Sequence, residues 1–92
     1  MHLYRIFLFS RGAIVGREDF RATGHEAAIR MGRALLGACW GGCECFDLWQ
    51  GRRRIPVERC YQGIPLHELP GDLQGLVMAM AADVRRGSSR AA

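Results

Sequence analysis

Residues Leu3 to Phe9 are apolar on both parities, and this stretch constrains the fold more than any other. Tyr4, Ile6 and Leu8 would project to one side of a strand, Leu3, Phe7 and Phe9 to the other. Aromatic and branched side chains suit a pleated surface. A strand apolar on both sides belongs inside a sheet with both faces covered. Arg5 interrupts the run, which falls well short of the roughly 18 residues of a membrane span. No small-residue cleavage site follows it, so the expectation is a strand in a cytoplasmic protein rather than a secretory leader.

The rest of the chain must supply partners for that strand. Ser10-Arg11-Gly12-Ala13 reads as a turn with Gly12 at positive φ. Ile14 to Ala22 then alternates. Ile14, Gly16, Glu18 and Phe20 share one face, and Val15, Arg17, Asp19 and Arg21 the other, as in a half-wet outer strand. Thr23-Gly24-His25-Glu26 has the spacing of a capping box. Ala28, Ile29, Gly32, Leu35, Leu36 and Cys39 mark one face of a helix near residues 24–40, stopped by Gly41-Gly42. Gly32 within that stripe predicts a close approach of helix to sheet. Cys45 to Gln50 alternates again, with Phe46 and Leu48 opposed to Cys45, Asp47 and Trp49. Gln50 to Arg53 reads as a hairpin turn. Arg54 to Glu58 reads as an edge strand, because Pro56 has no amide proton to give a ladder. Pro65 to Pro70 predicts a turn or short 3₁₀ piece, and Leu73, Leu76, Val77, Met80 and Val84 predict a second helix over 71–86.

The expected fold is therefore α+β: a small antiparallel four-stranded sheet with two helices, in the order ββαββα. A first helix that crosses back over the sheet sets the first strand beside the third, giving the order 2-1-3-4. The two helices would cover one face each or share one. Ninety-two residues are too few for two separate cores, so residues 1–86 are expected to form a single domain with a flexible tail over 87–92.

Tyr4-Arg5-Ile6-Phe7-Leu8, Gly16-Arg17-Glu18-Asp19-Phe20, Glu26-Ala27-Ala28-Ile29 and Phe46-Asp47-Leu48-Trp49-Gln50-Gly51-Arg52 together resemble segments of short, uncharacterised proteins of GC-rich bacteria. The likeness runs over about residues 4 to 57 and implies a ββαββ core, with no activity, cofactor or site residue attached. GC-rich coding also accounts for thirteen arginines and no lysine. The net charge of +4 permits contact with nucleic acid without requiring it.

Four cysteines invite a metal argument, but Cys39, Cys43, Cys45 and Cys60 lack the paired, knuckle-like spacing of structural zinc sites. They are expected to be reduced, metal-free and packed as small hydrophobes. Nucleophilic catalysis needs a base beside Cys or Ser, and spacing brings none of His2, His25 or His67 to one. Glu18-Asp19 and Glu44-Asp47 read as outer-face and loop charges. No phosphate loop, dinucleotide fingerprint or nucleophile elbow is present, so no catalytic, cofactor-binding or metal residue is assigned and enzyme activity is not expected.

The candidate binding surface is Phe7, Phe9, Trp49, Arg52, Arg53, Arg54 and Arg59. The aromatics would form an apolar patch for a protein partner or a second copy, giving a non-enzymatic interaction module and a two-fold homodimer. The alternative is a nucleic-acid-binding regulator, in which Arg52 to Arg54 grip phosphates while Trp49 stacks on a base.

Overall fold

The structure, a computed structural model, describes residues 1–38, 43–57 and 63–86. Its elements are β1 (His2–Ser10), β2 (Ala13–Ala22), α1 (His25–Ala38), β3 (Cys45–Gln50), β4 (Arg53–Ile55), a 3₁₀ turn (Leu66–Glu68) and α2 (Gly71–Arg86). The strands form one antiparallel sheet in the order β2-β1-β3-β4, with the doubly apolar β1 at its centre. The α+β class and the order ββαββα are those the sequence predicts. The tail over 87–92, the Gly41-Gly42 stop, and Cys39, Glu58, Arg59 and Cys60 lie outside the described residues.

Two-residue turns close both hairpins. Ser10 pairs with Ala13, leaving Arg11 at φ 54 and Gly12 at φ 79, both positive as the right-handed twist of the flanking strands prefers. Glycine adopts that backbone freely, whereas Arg11 does so against the steric bias of its Cβ. The second turn carries Gly51 at φ 60, between Gln50 and Arg53. This turn ends one residue earlier than expected, so β4 begins at Arg53 and stops at Ile55, before Pro56.

Both helices pack on the same face of the sheet. Tyr4, Ile6, Leu8, Phe46 and Leu48 form the floor of one buried cluster, and Met31, Leu35, Val77 and Met80 its roof. The two faces of β1 are therefore not both covered: Tyr4, Ile6 and Leu8 are buried, while Leu3 is 52% exposed. Gly32 allows α1 its approach. A Cβ there would stand 2.7 Å from Phe46 Cε2 and 3.2 Å from Ile6 Cδ1.

Four local expectations need correction. A bulge shifts the β1–β2 register, so that Leu8 faces Gly16 but Phe9 faces Ile14. The extra residue moves Ile14 off the covered side and leaves it 57% exposed. In α2 the buried stripe runs through Val77, Met80 and Ala81, while Leu76 is 37% exposed, one position round the helix. In α1 the Gly24 carbonyl accepts from Ala28 N at 3.0 Å, so the cap falls on Gly24, and no hydrogen bond joins Thr23 to Glu26. Finally, Glu18 is not an outer charge. It shares the parity of Phe20, is half-buried, and faces α2.

Candidate binding face of the sheet

With both helices on one side, the other face of the sheet is left open, and strand register sets its pattern. One row crosses all four strands as Asp19, Arg5, Trp49 and Arg54. The next carries Arg17, Phe7 and Asp47, and the third Ile14, Phe9 and Cys45. Arg21 and Leu3 pair at the far end. Phe7, Phe9 and Trp49 thus lie on the two central strands, all half-buried, with the more exposed Leu3 and Ile14 at the ends of the patch.

The carboxylates on this face are matched within it. Arg5 grips Asp19 with a fork, Nε donating to Oδ1 at 2.7 Å and Nη2 to Oδ2 at 3.2 Å. That hydrogen bond holds the Asp19 carboxyl below its ordinary range, with the nearby positive charges of Arg5 and Arg17 acting in the same direction. Arg54 donates from Nη2 to Asp47 Oδ1 at 2.8 Å. The carboxylates here therefore sit beside arginines, and Arg17 and Arg21 add positive charge along β2.

The candidate residues divide accordingly. Phe7, Phe9, Trp49 and Arg54 share the open face. Arg52 occupies the turn. Arg53 pairs with Gln50 and, two residues before the buried Ile55, projects to the side opposite Arg54. The three consecutive arginines therefore do not converge as one grip, because a strand sends neighbours to opposite faces. Arg59 lies outside the described residues. Leu3 and Ile14 were missed as members of the face. Leu3 shares the parity of Phe7 and Phe9, whereas the bulge that turns Ile14 outward leaves no clear mark in the sequence.

Other groups offer less chemistry. Tyr4, buried and stacked on Phe20, meets Nδ1 of His25 at 2.9 Å through its hydroxyl, so that histidine contacts a phenol and not a thiol. Glu44 Oε1 accepts from the Arg11 amide at 2.7 Å and braces the strained turn. Cys45 is disulfide-bonded, which corrects the expectation of four reduced thiols, and its partner lies outside the described residues. Spacing alone could not reveal this, since the bond depends on chain segments meeting in three dimensions. Cys43 keeps a half-buried thiol. Among the described residues no three His, Cys, Asp or Glu side chains are grouped to hold a metal ion. A concavity of about 510 Å³ between the end of α1, residues 63–66 and α2 is lined by Ile64, Leu66, Met78 and Arg85 among others. Among the described residues Arg85 is the one ionisable side chain on its wall, and none of them forms an acid–base pair with it there.

The fold and this face define a two-layer α+β protein with a solvent-facing, aromatic-centred sheet. No family model, curated protein or solved structure matches the chain. No helix among the described residues is long and apolar enough to cross a membrane.

Proposed function

We propose that this protein is a non-enzymatic self-associating module that pairs its open sheet face with the same face of a second copy. The observation that carries this reading is the position of Phe7, Phe9 and Trp49 at the centre of the one sheet face that neither helix covers. A second copy suits that face better than nucleic acid does. Asp19 and Asp47 would repel phosphates, and Arg5 and Arg54 already serve those carboxylates. A two-fold partner brings both signs of charge and an equal aromatic centre, and sheets stack face to face at about 10 Å.

Size sets the strength. Four strands about 4.8 Å apart, with about 20–25 Å of usable length, offer roughly 400–500 Å² per copy. Twice that lies below the roughly 1,200 Å² of stable interfaces, so the dimer is weak and exchanges in the micromolar range. The cytoplasmic placement expected from the sequence sits uneasily with the disulfide at Cys45, since such bonds persist mainly in oxidising compartments.

Sedimentation from about 5 to 500 µM tests the proposal, over the range expected for a weak interface. The wild type should shift from monomer to dimer, and the double variant Phe7→Ser, Trp49→Ser should stay monomeric while still folded by circular dichroism. A wild type monomeric throughout would overturn self-association. Salt-sensitive binding of single-stranded oligonucleotides by such a monomer would assign the face to nucleic acid instead.

A further inference from the structure

The two edges of the sheet are finished differently. On one side β4 is three residues long and stops before Pro56, which has no amide proton to offer a further strand. On the other side β2 runs for ten residues without a proline, and among the described residues no strand pairs with its outer edge. A long edge of this kind is a template for an incoming strand unless bulges or charges blunt it. The bulge at Val15 interrupts only the Ile14 end and leaves residues 16–22 in regular register.

Register shows which backbone groups that edge presents. Ser10 closes the first hairpin opposite Ala13 across a two-residue turn, so its backbone faces β2. The Phe9 carbonyl accepts from Glu44 N at 2.8 Å and faces β3. Backbone direction alternates along a strand, so Leu8, Ile6 and Tyr4 also face β2. Their partners Gly16, Glu18 and Phe20 are therefore taken up by β1, and Arg17, Asp19 and Arg21 point their N–H and C=O groups outward. The side chains of these same three residues are exposed on the open face. The groups that would bond an added strand thus stand beside the side chains that would select it. In order they read positive, negative, positive. The middle charge is fixed in place, because the Arg5 fork holds the Asp19 carboxylate and leaves each oxygen a further lone pair.

We propose that the outer edge of β2 takes up an extended segment of a partner protein as a further strand, one carrying acidic, basic and acidic side chains at alternate positions. Main-chain hydrogen bonds to Arg17, Asp19 and Arg21 hold the segment, and the facing side chains choose it. Unlike charges opposed across a ladder stabilise the pairing, and like charges weaken it. The acidic–basic–acidic pattern reads the same from either end, so it suits a strand entering in either direction. A second copy of β2 matches less well. Its best antiparallel registers oppose Arg17 to Asp19, leaving Arg21 against Val15, or Asp19 to Arg21, leaving Arg17 against Thr23. The added strand lies in the plane of the sheet and leaves Phe7, Phe9 and Trp49 uncovered, so this site is separate from the face that pairs two copies.

Nitrogen-15 NMR titration of the full chain with a pair of synthetic peptides, each about ten residues long, tests this edge. One peptide carries Asp, Arg and Asp at alternate central positions among Thr and Val, and the other carries Arg, Asp and Arg there. The first should shift the amides of Arg17, Asp19 and Arg21 and bind roughly tenfold or more tightly than the second. Methylating the backbone nitrogens of its charged residues should abolish binding, because those amides face β2. Arg17→Glu with Arg21→Glu, which keeps the Arg5–Asp19 pair, should reverse the preference between the peptides. Equal affinity for both peptides would overturn the proposal, as would binding that survives methylation or no binding of either at about 1 mM. Shifts confined to Phe7 and Trp49 would overturn it by moving the peptide to the open face. Tighter binding of a peptide copying residues 15–21 would overturn it by making a second copy the occupant.

Discussion

The two faces of the sheet come from the same strands and alternate residue by residue, yet they are built on different rules. On the covered face Tyr4, Ile6, Leu8, Phe46 and Leu48 are 3% exposed or less, and Glu18 is the one carboxylate on that face of the four strands. On the open face every strand carries at least one charge, with Phe7 between Arg17 and Asp47 and Trp49 between Arg5 and Arg54. Long arginine stems can shelter apolar neighbours while keeping their charged ends wet. The contrast shows that a sheet of this size needs only one face sealed to hold its fold. The other face is free to be apolar in the middle and charged around it.

The largest expected effect tests which surface of α2 belongs to the sealed side. Val77 is fully buried and Leu76 is 37% exposed. Val77→Asp buries an unpaired carboxylate and should cost about 3 kcal/mol or more, enough to unfold a domain of this size near physiological temperature. Leu76→Asp should cost under about 1 kcal/mol. Urea melts of the two variants decide it, and equal losses would mean that α2 does not pack as described.

Gly32→Ala probes the tightest helix–sheet approach. Alanine favours a helix interior by about 1 kcal/mol over glycine. Here its Cβ would press on the buried Phe46 ring at 2.7 Å, and overpacking of that kind costs about 1–3 kcal/mol. The net change should be destabilising and visible as a lower urea midpoint. A stabilised variant would show that the covered face has room to yield.

The smallest effect belongs to the open face. Arg54 and Asp47 pair at 2.8 Å with side chains 60% and 29% exposed. Arg54→Ala should change stability by about 1 kcal/mol at most, and by less at high salt, because exposed ion pairs gain little against water. A loss as large as that of Val77→Asp would erase the distinction between the faces.

Much of the scaffold was legible in the chain itself. The double apolar parity of Leu3–Phe9 placed β1 at the sheet centre, and the alternation of Cys45–Gln50 put Phe46 and Leu48 opposite Trp49. Gly32 announced the contact that its missing Cβ permits. These signals are local: each depends on side-chain period or on the backbone freedom of one residue, and both act within a few positions. Tertiary structure decided the rest. Only the packing of α1 and α2 against each other and a common sheet face determined that the second face stays open. Only the bulge beside Gly16 turned Ile14 outward, because one extra residue reverses every parity argument beyond it. The alternation of Ile14–Ala22 placed Glu18 beside Phe20, but its partial burial goes with the docking of α2 on β2, an element from the far end of the chain. The disulfide at Cys45 likewise depends on which parts of the chain come together in space. Periodicity describes how one element sorts its own residues, and it carries no information about which element arrives to cover them.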